Sequence, residues 1–161
     1  MKTSKKGRSF ISLCEGVALK PYKCPAGYWT IGVGHRMTLH EQEIWGNAII
    51  TYHQADAILS GDLYEAEKCL IETVKIPLHQ SKIDALASLI FNIGVGNFKK
   101  STLLKKLNKG ELVDAEFLKW NKVKGKVLNG LTLRRQREVQ IFHYDTTTNQ
   151  EARLQISGFY Y

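Results

Sequence analysis

The stretch EGVALKPYKCPAGYWTIGVGH, residues 15–35, carries the only convincing strand signal in a chain that otherwise reads as helix. It opens at Glu15, the end of a short apolar-periodic segment. It then passes through Pro21, Pro25 and Gly27 and closes on TIGVGH, which alternates like a strand and carries two glycines. A helix end feeding a small β-hairpin fits that order of signals. Everything else must be arranged around this one β element, so the expected fold class is α+β.

The flanking segments read as helices. Residues 4–14, with Phe10, Ile11, Leu13 and Cys14, fit a short helix covering one side of the hairpin. Thr38 and Thr51 each open a Thr-x-x-Glu/Gln sequence, the form that caps a helix start. Gly61 interrupts the apolar pattern that begins at Thr51. The segment after it is expected to form a helix that leads away from the hairpin and stops before Pro77. Ser81 to Ile93 places Ile83, Leu86, Leu89, Ile90 and Ile93 on one stripe. GVGNF breaks it, Ser101–Leu107 and Leu112–Trp120 follow as short helices, and Gly110 suits a left-handed cap. KVKGKVLNG reads as loop, a last helix covers about Thr132–Tyr144, and Phe159, Tyr160 and Tyr161 in the tail are expected to pack back on the body. The division expected is a hairpin lobe over about 1–60, a connecting helix over 61–76 and a helical lobe over 77–161, with a cleft between lobes.

Within the hairpin stretch, Glu15, eight residues, Cys24, five residues and Thr30 stand in a fixed register. That register resembles the catalytic signature of the phage-type lysozymes (endolysins, muramidases), in which Glu, Asp and Thr occupy these places. FNIGVGNFKKSTLLKKLNKG and NGLTLRRQRE also resemble motifs of that family's helical lobe. The resemblance covers roughly residues 10–144. It implies a lysozyme-like fold and a hydrolase cutting the β-1,4 bond between N-acetylmuramic acid and N-acetylglucosamine in bacterial peptidoglycan. It implies that Glu15 is the general acid and that Cys24 and Thr30 hold the attacking water. Phe91, Asn92 and Ser101 fall on places that line the substrate cleft, and His35 is expected to pair with Asp62 as a structural support.

Each residue also has a plainer reading. A lone Glu after an apolar helix is ordinarily a solvated terminus, a free cysteine a small buried hydrophobe, and a strand threonine a β-former. Phe91, Asn92 and Ser101 suit packing and capping. Arg134, Arg135 and Glu138 read as structural ion pairs. An unperturbed thiol is only a few per cent thiolate at pH 7. Lys20, Lys23 and His35, close in sequence, are the expected source of a lower Cys24 pKa. A lytic transglycosylase, which works with one acid, and an inactive wall-binding module are the alternatives.

Other chemistries fit less well. The cysteines and histidines show no CxxC or HExxH spacing, so no metal is expected, and no glycine loop suits a phosphate cofactor. The net charge of +8 favours polyanions without choosing among them. The lysine pairs are too dispersed for a nucleic-acid motif, and the family resemblance implies bacterial peptidoglycan, an acidic wall, as the partner. Three cysteines at irregular spacing argue against a disulfide framework. The opening MKTSKKGRSFISLCEG reads as neither a secretory signal nor an anchor, and no stretch approaches a membrane span. A monomer made in the host cytoplasm, acting on the wall after release, is the expectation.

Overall fold

The computed structural model describes residues 1–144, so the aromatic tail at Phe159, Tyr160 and Tyr161 lies outside the described residues. Helix α1 spans Lys5–Glu15 and begins on Ser4, whose hydroxyl accepts from the Gly7 amide at 3.1 Å. Gly7, Phe10 and Ile11 form its buried face. At Gly16, in left-handed backbone, the helix stops, and its amide bonds back to Ser12. Glu15 is thereby fixed at a helix end and not on a helix flank.

Strands β1 (Ala18–Lys23), β2 (Trp29–Gly32) and β3 (His35–Arg36) make an antiparallel sheet in that order. Its register pairs Ala18 with Gly32, Tyr22 with Thr30 and Thr30 with Arg36, with a bulge between Ala18 and Tyr22. Pro21 sits in that bulge on the edge strand, where a missing N–H breaks no ladder bond. Between β2 and β3, Gly32 and Gly34 both take positive φ (63° and 75°). This tight corner turns Val33 inward, where it packs on Ile11, Leu59 and Leu63.

Helices α2 (Leu39–Trp45) and α3 (Tyr52–Asp62) both start with complete capping boxes, Thr38 with Glu41 and Thr51 with Gln54. Helix α4 is Tyr64–Thr73. The break falls at Leu63 and not at Gly61, which stays helical. A helical glycine costs only about 1 kcal/mol, and nothing approaches its Cβ position within 4 Å. Backbone bonds from Leu63 to Leu59 and from Glu67 to Leu63 carry the ladder across the junction.

Helix α5, Gln80–Ile93, is the axis of the second half. Every residue from Ile83 to Ile90 is buried, including Asp84 and Ser88, so this helix is enclosed on all sides. Around it lie α6 (Val95–Lys100), α7 (Thr102–Leu107), α8 (Asp114–Leu118) and α9 (Asn129–Phe142). Their core includes Leu70, Leu86, Leu89, Phe98, Leu103 and Phe117. Only Gly94 breaks the chain after α5; the rest of GVGNF is helical, as α6. KVKGKV is not loop. It forms a second hairpin, β4 (Lys122–Val123) with β5 (Lys126–Val127), turned by Lys124 and Gly125 at φ 48° and 81°.

Helix α1 belongs to both halves. The Ser4 amide and hydroxyl both donate to Asp84, at 2.8 and 2.5 Å, and Gly7 lies so close that a Cβ there would be 2.7 Å from that carboxyl. The start of α1 is thus pinned to α5, while its end carries Glu15 to the hairpin.

Candidate active site

Arg134 of α9 holds Glu15. Its Nη1 donates to Glu15 Oε1 at 2.5 Å, across 119 residues of sequence. The Glu15 side chain keeps 29% of its surface exposed. Oε2 has no partner among the described residues, so one oxygen is anchored and the other faces solvent. Arg134 itself is 6% exposed; its Nε donates to Glu138 at 3.2 Å and its Nη2 to the Ser88 carbonyl at 3.3 Å. Burial works against the Arg134 cation, but the bond to Glu15 and the charges around it hold its pKa above the ordinary value.

Beneath this pair lies a buried polar layer. Glu138 and Arg135 are both fully enclosed, 3.1 Å apart. Glu138 accepts from Ser88 at 2.7 Å, and Arg135 donates to Asn92 at 3.0 Å. Burial pushes the Glu138 carboxyl up and the Arg135 guanidinium down from their usual values. The ion pairs expected of Arg134, Arg135 and Glu138 are present. What sequence reasoning missed is that Arg134 also reaches Glu15. Arginine in an RRxxE run on a helix signals an ion pair, but nothing in one chain links it to a residue so distant.

On the hairpin, Cys24 begins the turn between β1 and β2. Its amide bonds to the Tyr28 carbonyl at 2.9 Å, and its carbonyl accepts from Gly27 at 2.8 Å. The thiol is partly exposed. Burial raises its pKa, but the polar groups of the turn around it, the Tyr28 and Ala26 backbone first and then Thr30, outweigh that, and the net direction is down. The direction agrees with expectation and the cause does not. Turn amides and Thr30 favour the thiolate, in place of Lys20, Lys23 or His35. Thr30 is 5% exposed, and its hydroxyl donates to the Tyr28 carbonyl at 3.1 Å, the same oxygen that the Cys24 amide reaches. Cys24 and Thr30 are therefore one unit of the turn. Cys14, next to Glu15, is the opposite case, because burial pushes its thiol up.

His35 lies between two acids. Nδ1 is 2.9 Å from Asp62 at the end of α3, and Nε2 is 3.2 Å from Glu41 of α2. Burial lowers its pKa, but the two carboxylates more than reverse this and hold it above its ordinary value. Burial pushes the Asp62 carboxyl up in spite of His35. His35 thus ties the sheet to two helices, and Glu41 is a partner the sequence did not suggest.

The expected cleft residues separate. Phe91 is half-buried against Ile11, Val33, Leu59 and Leu63, where the two halves meet. Asn92 is exposed with its amide oxygen on Arg135. Ser101 lies at the start of α7. It caps α7, accepting from the Leu104 amide at 3.1 Å and donating to the Phe98 carbonyl at 2.7 Å, and it is 6% exposed. That hydroxyl is engaged at the helix end. Among the described residues no cluster of His, Cys, Asp and Glu could hold a metal ion, and no helix is long and apolar enough to cross a membrane.

Comparison with known proteins gives a consistent result. The family model described as phage lysozyme matches residues 12–138. The endolysin of Acyrthosiphon pisum secondary endosymbiont phage 1 is 45% identical over 148 residues, 88% of this chain and 98% of that one. The endolysin of Bacillus phage B103 is 38% identical over 88% of this chain, which spans 54% of that relative. Among solved structures, a P22 lysozyme mutant aligns with TM-score 0.78 and 35% identity, covering 88% of this chain and 98% of that one. The muramidase domain of SpmX from Asticaccaulis excentricus gives TM-score 0.78 and 32% identity, over 89% and 99%.

Proposed function

The chain belongs to the phage lysozyme family and is a peptidoglycan hydrolase of lysozyme-like fold, and from that premise we propose how its residues divide the chemistry. The bond cut is the β-1,4 link between N-acetylmuramic acid and N-acetylglucosamine. Glu15 gives its proton to the glycosidic oxygen as that bond breaks. A water held by Cys24 and Thr30 attacks the anomeric carbon from the opposite face and passes a proton to the thiolate. Solvent then restores the proton on Glu15 and removes the one on Cys24. Such a reaction inverts the anomeric carbon and requires acid and base about 6.5–9.5 Å apart, room enough for a water.

The observation that carries this reading is the asymmetric holding of Glu15. Arg134 fixes Oε1, and Oε2 remains free to present a proton at the exposed end of α1. Ser88 and Glu138 fix Arg134 in turn, so the acid is oriented from beneath by a layer closed to water. On the other side, the turn amides and Thr30 supply the charge control that a thiol needs to replace a carboxylate. His35, Asp62 and Glu41 hold the sheet in place and take no part in proton transfer. Asn92 and Phe91 make sugar contacts in this reading, Asn92 through its amide nitrogen, since its oxygen is held by Arg135.

The protein works as a monomer on an acidic wall, without nucleic acid, after release from the cytoplasm in which it is made. Mass spectrometry of fragments released from purified sacculi tests the reaction. Products ending in reducing N-acetylmuramic acid are expected. Products with 1,6-anhydro ends would assign the single-acid transglycosylase reaction instead, and no soluble product would leave a binding module.

A further inference from the structure

We infer that Arg36, stacked on Tyr28, is a carboxylate-reading subsite that extends the catalytic face of the sheet. It would bind an acidic group carried by muramic acid in the substrate. This inference rests on the peptidoglycan reading above and adds a specificity determinant to it. Directly opposed residues of antiparallel strands point to one face, as do residues two apart on a strand. Thr30 pairs with both Tyr22 and Arg36, and Tyr28 precedes it by two. Tyr22, Tyr28 and Arg36 therefore share the face of the proposed water-holding Thr30.

The side chains bear this out. The Arg36 guanidinium lies 3.3 Å from the centre of the Tyr28 ring. Tyr28 is 45% exposed and Arg36 is also exposed. Among the described residues Arg36 has no carboxylate partner. A groove of about 540 Å³ opens beside the pair, walled by Tyr28, Trp29, Arg36, Met37 and Gln42. A guanidinium stacked on an aromatic ring keeps N–H groups available for a two-pronged bond to a carboxylate. The exposed aromatic rings beside it suit the apolar faces of sugars. Muramic acid carries either a peptide stem with free carboxylates or, where the stem is absent, a free lactyl carboxylate. Either supplies the charge that Arg36 lacks.

The test is calorimetric titration of glycan tetrasaccharides into Glu15→Gln protein, which binds without cutting, with and without Arg36→Gln. Three ligands are compared: stem-bearing, amidase-treated with free lactyl groups, and stem-bearing with all carboxylates capped as amides. A charged hydrogen bond contributes about 1.5–3 kcal/mol, so Arg36→Gln is expected to weaken stem-bearing ligand about 10- to 150-fold. The capped ligand is expected to bind both proteins equally. Arg36→Lys, which keeps charge but not the fork, is expected to fall between. Weakening confined to stem-bearing ligand assigns the stem as the source. Weakening confined to amidase-treated ligand assigns the lactyl group, whose carboxyl is free only when the stem is gone, and weakening of both assigns either carboxylate as acceptable.

Equal affinity of both proteins for the stem-bearing and for the amidase-treated ligand would overturn the inference. An equal drop for the capped ligand would do so too, since that marks loss of shape and not of charge. Failure of Glu15→Gln protein to bind any fragment would also overturn it, whereas the hydrolase reading is judged separately by release of fragments from sacculi by the unmodified protein.

Discussion

Asp62→Asn removes one half of the clasp that ties β3 to α3, and its effect should depend on pH in a determined direction. Both ring nitrogens of His35 face carboxylates, Asp62 at 2.9 Å and Glu41 at 3.2 Å. Only a protonated imidazole donates from both at once. Burial disfavours that charge, but the two acids outweigh it, and the folded pKa lies above the unfolded value of about 6.5. A group raised in the folded state stabilises fully below its unfolded pKa, and the benefit disappears as pH rises through the folded one. Asp62 sets the lower edge of the window, because burial raises its pKa and its proton returns sooner on acidification. A hydrogen bond to a charged group contributes about 1.5–3 kcal/mol. The two side chains are 18% and 27% exposed, so solvent screening reduces this to about 1–2 kcal/mol. For a domain of this size that is about 2–8 °C in Tm. At pH 9 the asparagine oxygen still accepts from neutral His35, and a loss of about 0.5 kcal/mol or less is expected. Thermal melts followed by circular dichroism, at pH 6 and pH 9 on both proteins, give the comparison. An equal loss at both pH values, or a larger one at pH 9, would refute the reasoning.

Position 24 makes a second set of expectations. Iodoacetamide near pH 7.5 should alkylate Cys24 before Cys14 and Cys69, whose thiols burial pushes up, and peptidoglycan clearing should fall with it. Cys24→Asp should resist that inactivation and shift the optimum lower, since a carboxylate is charged above about pH 4; Cys24→Ala at unmodified-protein activity would make the position a bystander. Two glycines should behave oppositely in urea titrations. Gly7→Ala, whose Cβ would meet Asp84 at 2.7 Å and Thr3 at 2.8 Å, should lose about 1–3 kcal/mol. Gly61→Ala, with open space around it in a helix, should gain up to about 1 kcal/mol, and the reverse order would contradict the packing described.

Local signals were legible where a few neighbouring residues decide the outcome. Thr38 and Thr51 cap the helices they precede, and Gly32 and Gly34 turn the chain where a side chain would strain it. The stripe on α5 was equally readable, but its complete burial was not, because Asp84 and Ser88 look polar until Ser4 and Glu138 come to meet them. Gly61 misled because glycine weakens a helix without ending it when neighbours hold it. The β4–β5 hairpin was hidden because its strands are two residues each and its turn is Lys-Gly, where Asn-Gly would have announced it. At the site, the spacing of Glu15, Cys24 and Thr30 was visible within one short stretch. Arg134, brought from α9 to Glu15, depends on the whole packing of α9 on α5, and no local pattern encodes it.

The central claim is that Glu15, oriented by Arg134, supplies the proton that breaks the glycosidic bond. Clearing of purified peptidoglycan by Glu15→Gln protein, with its melting temperature measured alongside, tests this directly. Glutamine keeps the shape and a bond to Arg134 but has no proton to transfer. General acid–base catalysis is worth about 10²- to 10⁴-fold, so activity is expected to drop by at least about 100-fold while the protein stays folded. A folded Glu15→Gln protein that clears the wall within a few-fold of the unmodified rate would contradict it.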